Sequence, residues 1–129
     1  LYNCAFVLFK GKILGIIPKI HRPNYGEFYE KRWFTSGFNT YEKVQIGEEE
    51  VLLTPFQTFK INNEIILGIE ICEDLWAPNP PSVNLALNGA NVILNLSASN
   101  ELIGKSDYRK ELIKNQSARL NCAYIYSSA

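Results

Sequence analysis

The sequence predicts an α/β fold with a mixed sheet. Two apolar hairpins occupy most of the first half, and helices alternate with strands only in the second half. Each apolar run is bounded by Gly, Pro or Asn, and none approaches the roughly 20 residues that a membrane helix needs.

Cys4-Ala-Phe-Val-Leu-Phe9 is a continuous apolar run and reads as a strand buried on both faces. Lys10-Gly-Lys12 is its turn, and residues 13–17 return as a second strand. Pro18 and Pro23 exclude helix, which puts Lys19 just past a strand end, in a loop. Residues 24–50 read as one long irregular segment with an aromatic cluster (Phe28, Tyr29, Trp33, Phe34, Phe38) and the acidic run Gly47-Glu-Glu-Glu50. A long aromatic loop beside apolar strands is usually functional or covered by a partner.

Phe56-Gln-Thr-Phe-Lys-Ile61 and Glu64-Ile-Ile-Leu-Gly-Ile-Glu-Ile71 form a second hairpin around Asn62-Asn63, a pair suited to the positive φ angles of a two-residue turn. Cys72-Glu-Asp-Leu-Trp76 follows the strand directly, and Ala77-Pro-Asn-Pro-Pro81 breaks it. Residues 82–88 read as a helix stopped by Gly89, residues 91–96 as a strand, and residues 97–100 as its polar exit. Residues 107–121 are helical, with Leu112, Ile113, Gln116 and Leu120 on one side, and residues 123–126 close the chain as a strand.

Composition narrows the function classes. Thirteen Lys+Arg balance thirteen Asp+Glu, so global charge gives no reason to bind nucleic acid or an anionic membrane. Three cysteines at irregular spacing argue against a disulfide framework and fit a reducing, cytoplasmic setting. No Cys-x-x-Cys or clustered His/Cys spacing suggests a metal site, and no Gly-rich phosphate loop suggests ATP bound to this chain. The chain opens inside a strand with no Met or leader, and it ends on Tyr124-Ile-Tyr-Ser-Ser-Ala129. Both ends read as cuts through a larger domain, one whose apolar faces need further neighbours.

Cys72 is the strongest candidate for chemistry. It ends an apolar strand with Glu73, Asp74 and Trp76 close behind, and ligands gather at such strand ends in α/β sheets. A free thiol holds only a few per cent thiolate at neutral pH, so a nucleophilic cysteine needs a cation or base nearby. The plain alternative is a small buried hydrophobe, the usual state of cysteine and the reading for Cys4 and Cys122. Lys19, between Pro18 and Ile20, is either such a cation or ordinary surface. Asn95-Leu-Ser-Ala-Ser-Asn100 supplies hydroxyls and amides for a small polar ligand, or is a simple turn. His21, the one histidine, reads as structural, and Glu27, Glu30, Lys31 and Arg32 as a charged face.

Three ordered segments decide among these readings: Pro18-Lys-Ile-His-Arg-Pro-Asn-Tyr-Gly-Glu-Phe-Tyr-Glu-Lys-Arg-Trp-Phe34, Gly68-Ile-Glu-Ile-Cys-Glu-Asp-Leu-Trp76 and Asn95-Leu-Ser-Ala-Ser-Asn-Glu-Leu-Ile-Gly-Lys105. Together they resemble the nitrilase (carbon–nitrogen hydrolase) superfamily and, within it, the glutaminase domains of the glutamine-dependent NAD synthetase branch. The separation of Lys19 from Cys72, 53 positions, is similar to that of the family. The resemblance implies an α-β-β-α sandwich with two mixed sheets face to face and oligomer contacts, hence a homo-oligomer. It implies Cys72 as nucleophile on the side-chain amide of glutamine. Lys19 would stabilise thiolate and oxyanion, helped by backbone N–H at the Cys72–Glu73 turn, and Glu27 would be a second glutamate beside the lysine.

By the same match, Tyr25, Glu73, Ser99 and Lys105 would contact the glutamine substrate, Lys105 taking a place that can also carry Arg. The general-base glutamate of the family lies on a strand upstream of anything matching Leu1. The resemblance thus makes 1–129 the central stretch of the glutaminase domain, inactive alone. A separate synthetase domain would take the ammonia, with ATP and Mg, to convert deamido-NAD to NAD. Other expectations remain: a different nitrilase-type amidase, or a non-catalytic scaffold on this fold.

Overall fold

A computed structural model describes residues 1–129. Strands form where the apolar runs lie. β1 (Cys4–Phe9) and β2 (Lys12–Pro18) make an antiparallel hairpin whose turn residues, Lys10 and Gly11, both have positive φ. β3 (Glu42–Ile46) and β4 (Glu49–Leu53) form another, turning at Gly47 with φ 59°. β4 lies parallel to β2, giving a four-stranded mixed sheet in the order β1-β2-β4-β3.

The second sheet contains β5 (Phe59–Lys60), β6 (Ile66–Ile71), β7 (Val92–Ser97) and β8 (Ala123–Ser128), in that order. β5 is antiparallel to β6, and the other pairs are parallel. Helix α1 (Pro81–Leu87) connects β6 to β7, and α2 (Lys105–Leu120) connects β7 to β8, so the second half is two βαβ units.

Two apolar layers hold these elements together. Ala5 and Ile17 from the first sheet pack with Phe59, Ile69 and Ile71 from the second, so the sheets meet face to face. Leu85, Ala90, Ile93 and Cys122 fill the space between the second sheet and its helices. Each large side chain buried in this way contributes about 1.5–3 kcal/mol. Gly68 permits the close approach of α1: a Cβ there would lie 2.9 Å from the Leu85 Cβ. The α/β class and the mixed sheets therefore stand as the sequence predicts.

Four expectations are corrected. β1 is not buried on both faces: Ala5 and Val7 pack toward the second sheet, whereas Phe6 and Leu8 point to the other, uncovered face and Phe9 ends the strand exposed. Residues 24–50 are not wholly irregular, because β3 lies within them and β4 begins there. The second hairpin turns through three residues: Ile61 pairs with Ile65, and the Asn62 side chain accepts hydrogen bonds from the N–H groups of Glu64 and Ile65. Neither Asn62 nor Asn63 needs positive φ in that turn. On α2, which begins two residues early at Lys105, the buried residues are Arg109 and Gln116, with Leu112, Ile113 and Leu120 only partly covered. No helix is long and apolar enough to cross a membrane.

Candidate active site

Parallel strand β6 delivers Cys72 to the carboxyl end of the second sheet, where a short 3-10 turn (Cys72–Trp76) begins. Cys72 has φ 50°, a left-handed backbone that costs a non-glycine residue about 1–2 kcal/mol. The surrounding bonds hold it there. Its N–H donates to Asn95 Oδ1 (3.2 Å), and Asn95 Nδ2 donates to the Tyr124 hydroxyl (3.1 Å). Tyr124 in turn donates to Glu70, whose other oxygen accepts from the Ser82 N–H at 2.8 Å. Burial pushes the Glu70 carboxyl and the Tyr124 phenol up. The thiol itself is free and half-buried.

Lys19 leaves β2 straight into the interior. It is 2% exposed, and its Nζ lies 2.7 Å from Glu30 Oε1. The expectation that Glu27 sits beside Lys19 is corrected, because the 3-10 turn Glu30–Arg32 brings Glu30 to the lysine. Glu27 is exposed and accepts a hydrogen bond from Asn100 Nδ2. Its own backbone N–H and the Asn100 amide hold its carboxyl below the usual range. Glu30 Oε2 is buried without a hydrogen-bond partner.

Cys72 lies where two clefts meet. One, about 360 Å³, is lined by Lys19, Glu30, Cys72 and Ser97 among others. The other, about 300 Å³, is lined by Tyr25, Glu27, Cys72, Glu73, Trp76, Ser99, Asn100 and Lys105. The candidate residues read from the sequence therefore all line one of the two clefts that share Cys72, with Lys19 in the first and Tyr25, Glu27, Glu73, Ser99 and Lys105 in the second. Tyr25 donates its hydroxyl to Glu73 at 2.9 Å, and burial followed by that contact pushes its phenol up to about 12. The Lys105 ammonium sits 5.4 Å from the centre of the Trp76 ring, which stacks on Tyr108, and it donates to Asn100 Oδ1. A cation and two carboxylates in a half-open cleft suit a small zwitterion.

His21 lines a different cleft, with Arg22 and Lys31, and its backbone N–H makes a cross-chain contact. That contact is to Asp74, a residue noted only as one of the polar groups after Cys72. Asp74 and Glu70 are carboxylates at 2% and 1% exposure, and the signal in sequence was a charge inside or directly after an apolar strand. Burial pushes the Asp74 carboxyl up to about 7, against the backbone N–H groups that hold it down. A carboxyl raised on folding favours the fold below its unfolded value near 3.9, and that contribution is lost as pH rises through about 7. Thermal unfolding at pH 5 and pH 8 should show it. The drop in Tm on going to pH 8 is expected to be larger in the unsubstituted protein than in Asp74→Asn, and equal drops would refute this. His21, shifted downward by burial, is common to both and cancels.

A family model described as carbon–nitrogen hydrolase matches residues 1–128. A glutamine-dependent NAD(+) synthetase of Mycobacterium tuberculosis is 39% identical over 131 residues, an alignment covering 100% of this chain and 19% of that protein. Another, of Thermotoga maritima, is 40% identical over 126 residues, covering 97% of this chain and 19% of the relative. The crystal structure of a glutamine-dependent NAD(+) synthetase from Cytophaga hutchinsonii superposes with a TM-score of 0.83 at 29% identity, over 98% of this chain and 20% of that one. This chain thus spans about a fifth of the length of the relatives it matches.

Proposed function

The chain belongs to the carbon–nitrogen hydrolase family, and from that premise we propose that it carries the cysteine site of a glutamine amidohydrolase, with Cys72 as nucleophile. One observation supports this most: a left-handed cysteine at a strand end, between a buried Lys19–Glu30 pair and a cleft holding Lys105, Glu73 and Tyr25. The α-carboxylate of glutamine meets Lys105, its ammonium meets Glu73, and Tyr25 and Ser99 line its path to the thiol. Glu27 takes part from the substrate side, through Asn100 and Lys105, rather than beside Lys19.

The thiolate of Cys72 attacks the side-chain amide carbon. An S–C bond forms, the C–N bond breaks, and ammonia leaves with the proton taken from the thiol by the general-base carboxylate that the family supplies ahead of this stretch. Water then hydrolyses the glutamyl thioester to glutamate and regenerates the thiol. Lys19 and the Glu73 N–H face the developing oxyanion; the Cys72 N–H is committed to Asn95 and takes no part in that hole. The ammonia serves an ATP- and Mg-dependent synthetase domain outside these residues, which amidates deamido-NAD. The assembled protein is a cytoplasmic homo-oligomer.

The substrate class is tested by comparing glutamine with propionamide in the protein that carries this chain. Glutamine should be favoured at least about 10²-fold in kcat/KM, because only it engages Lys105 and Glu73. Equal turnover of the two amides would assign the site to a different amidase of the family.

A further inference from the structure

Asp74 touches both halves of the site without lining either cleft. Its Oδ1 accepts from the Ile20 N–H at 3.2 Å and the His21 N–H at 2.7 Å, and its Oδ2 accepts from the Ile71 N–H at 3.0 Å. The first two donors follow Lys19 directly, just past the end of β2 in the first sheet, and the third precedes Cys72 at the end of β6 in the second. The remaining backbone of the Lys19 segment is equally tied. The Lys19 N–H donates to the Asn3 carbonyl, the Lys19 carbonyl accepts from the Gly37 N–H, and the Ile20 carbonyl accepts from the Ser36 hydroxyl. Those bonds fix the segment to the first sheet and its loop. Asp74 alone among them reaches the strand that carries Cys72.

We propose that Asp74 is a positioning residue that locks the Lys19 segment to the Cys72 turn, so that ammonium and thiol keep their alignment across the cleft. The lock is complete when Asp74 is ionised, above about pH 7, where the tests below are run. Two oxygens accept three N–H groups here, whereas an amide offers one acceptor and turns an NH₂ toward the other donors. Asparagine can therefore keep one side of the lock but not both, at nearly the same volume. Misplacement of a reacting group by about 1 Å lowers a rate by about 10²-fold.

The proposal rests on the glutaminase reading for its kinetic readout only. In Asp74→Asn, kcat for glutamine falls by about 10²-fold while KM stays within about threefold, since the substrate cleft does not use Asp74. Asp74→Glu, which keeps the carboxylate but moves it by one methylene, falls between that variant and the unsubstituted protein. It runs the same tests if the asparagine variant does not fold. The second readout needs no glutamine: the rate of iodoacetamide alkylation of Cys72, followed on its peptide by mass spectrometry at fixed pH.

That rate falls in Asp74→Asn and in Lys19→Gln, and the double variant is no slower than the slower single one, because Asp74 acts through Lys19. Losses that multiply in the double variant, or an unchanged kcat in a folded Asp74 variant, would overturn the proposal. Failure of the unsubstituted protein to hydrolyse glutamine would instead remove the functional reading, and the alkylation cycle would still decide the role of Asp74.

Discussion

Cys72→Ala abolishes glutamine hydrolysis, with a loss of at least about 10⁴-fold in kcat expected for removal of a covalent nucleophile. The substitution removes one sulfur from a half-buried position and adds no backbone strain, since alanine and cysteine tolerate a left-handed backbone equally badly. Circular dichroism and the unfolding midpoint should therefore stay close to those of the unsubstituted protein. Retained turnover in a folded variant would remove Cys72 from the chemistry. The effect is large because nothing nearby stands in for it: Ser97 and Ser99 border the clefts but lack the low-cost anion a thiol provides, and Cys4, which lines the Lys19 cleft from the opposite sheet, has its thiol pushed up by burial, away from the thiolate.

Glu30→Ala is the substitution expected to damage the fold most. It leaves the Lys19 ammonium, its side chain 1% exposed, without its carboxylate. Removing one partner of a buried ion pair typically costs about 3–5 kcal/mol. Glu27→Ala, by contrast, removes an exposed carboxylate and should change stability by less than about 0.5 kcal/mol while altering KM for glutamine. Urea unfolding of the two variants separates them. Replacing both members of the pair, in Lys19→Met with Glu30→Leu, should recover much of the lost stability without activity, because no unpaired charge is left inside. Equal midpoints for Glu30→Ala and Glu27→Ala would mean that Lys19 does not depend on Glu30.

These two glutamates also mark where sequence reasoning stops. Both lie in one loop, three positions apart, and each fits a charged residue next to a lysine. The choice is made by Gly26, with φ 56°, and by the 3-10 turn that follows, which send Glu27 outward and Glu30 inward. Loop backbone of that kind leaves no periodic trace. The elements that were legible have strong local causes: apolar runs ended by Gly11 and Pro18, a Pro-initiated α1 stopped by Gly89, and α2 ended at Asn121 in a left-handed conformation.

β3 and β4 escaped notice because Glu42-Lys-Val-Gln-Ile46 is largely exposed and only Val51 and Leu53 of its partner are buried, which leaves little hydrophobic pattern to read. Cys72 and Lys19 could be singled out from local chemistry and motif order. Their meeting could not, since it depends on Asp74 bridging to Ile20, 54 positions away in the chain, and on Asn95 holding the Cys72 N–H. A buried carboxylate such as Glu70 did leave a trace, a lone charge in Ile-Leu-Gly-Ile-Glu-Ile, although its hydrogen bonds to Ser82 and Tyr124 come from distant elements.

The central claim is that Cys72 becomes acylated by the substrate. The direct measurement is rapid acid quenching of the protein that carries this chain during turnover of isotopically labelled glutamine, followed by peptide mass spectrometry. A glutamyl adduct on the peptide containing Cys72, lost on treatment with hydroxylamine and missing in Cys72→Ala, is the expected result. Steady release of ammonia and glutamate with label on another residue, or on none at any quench time, would contradict the account.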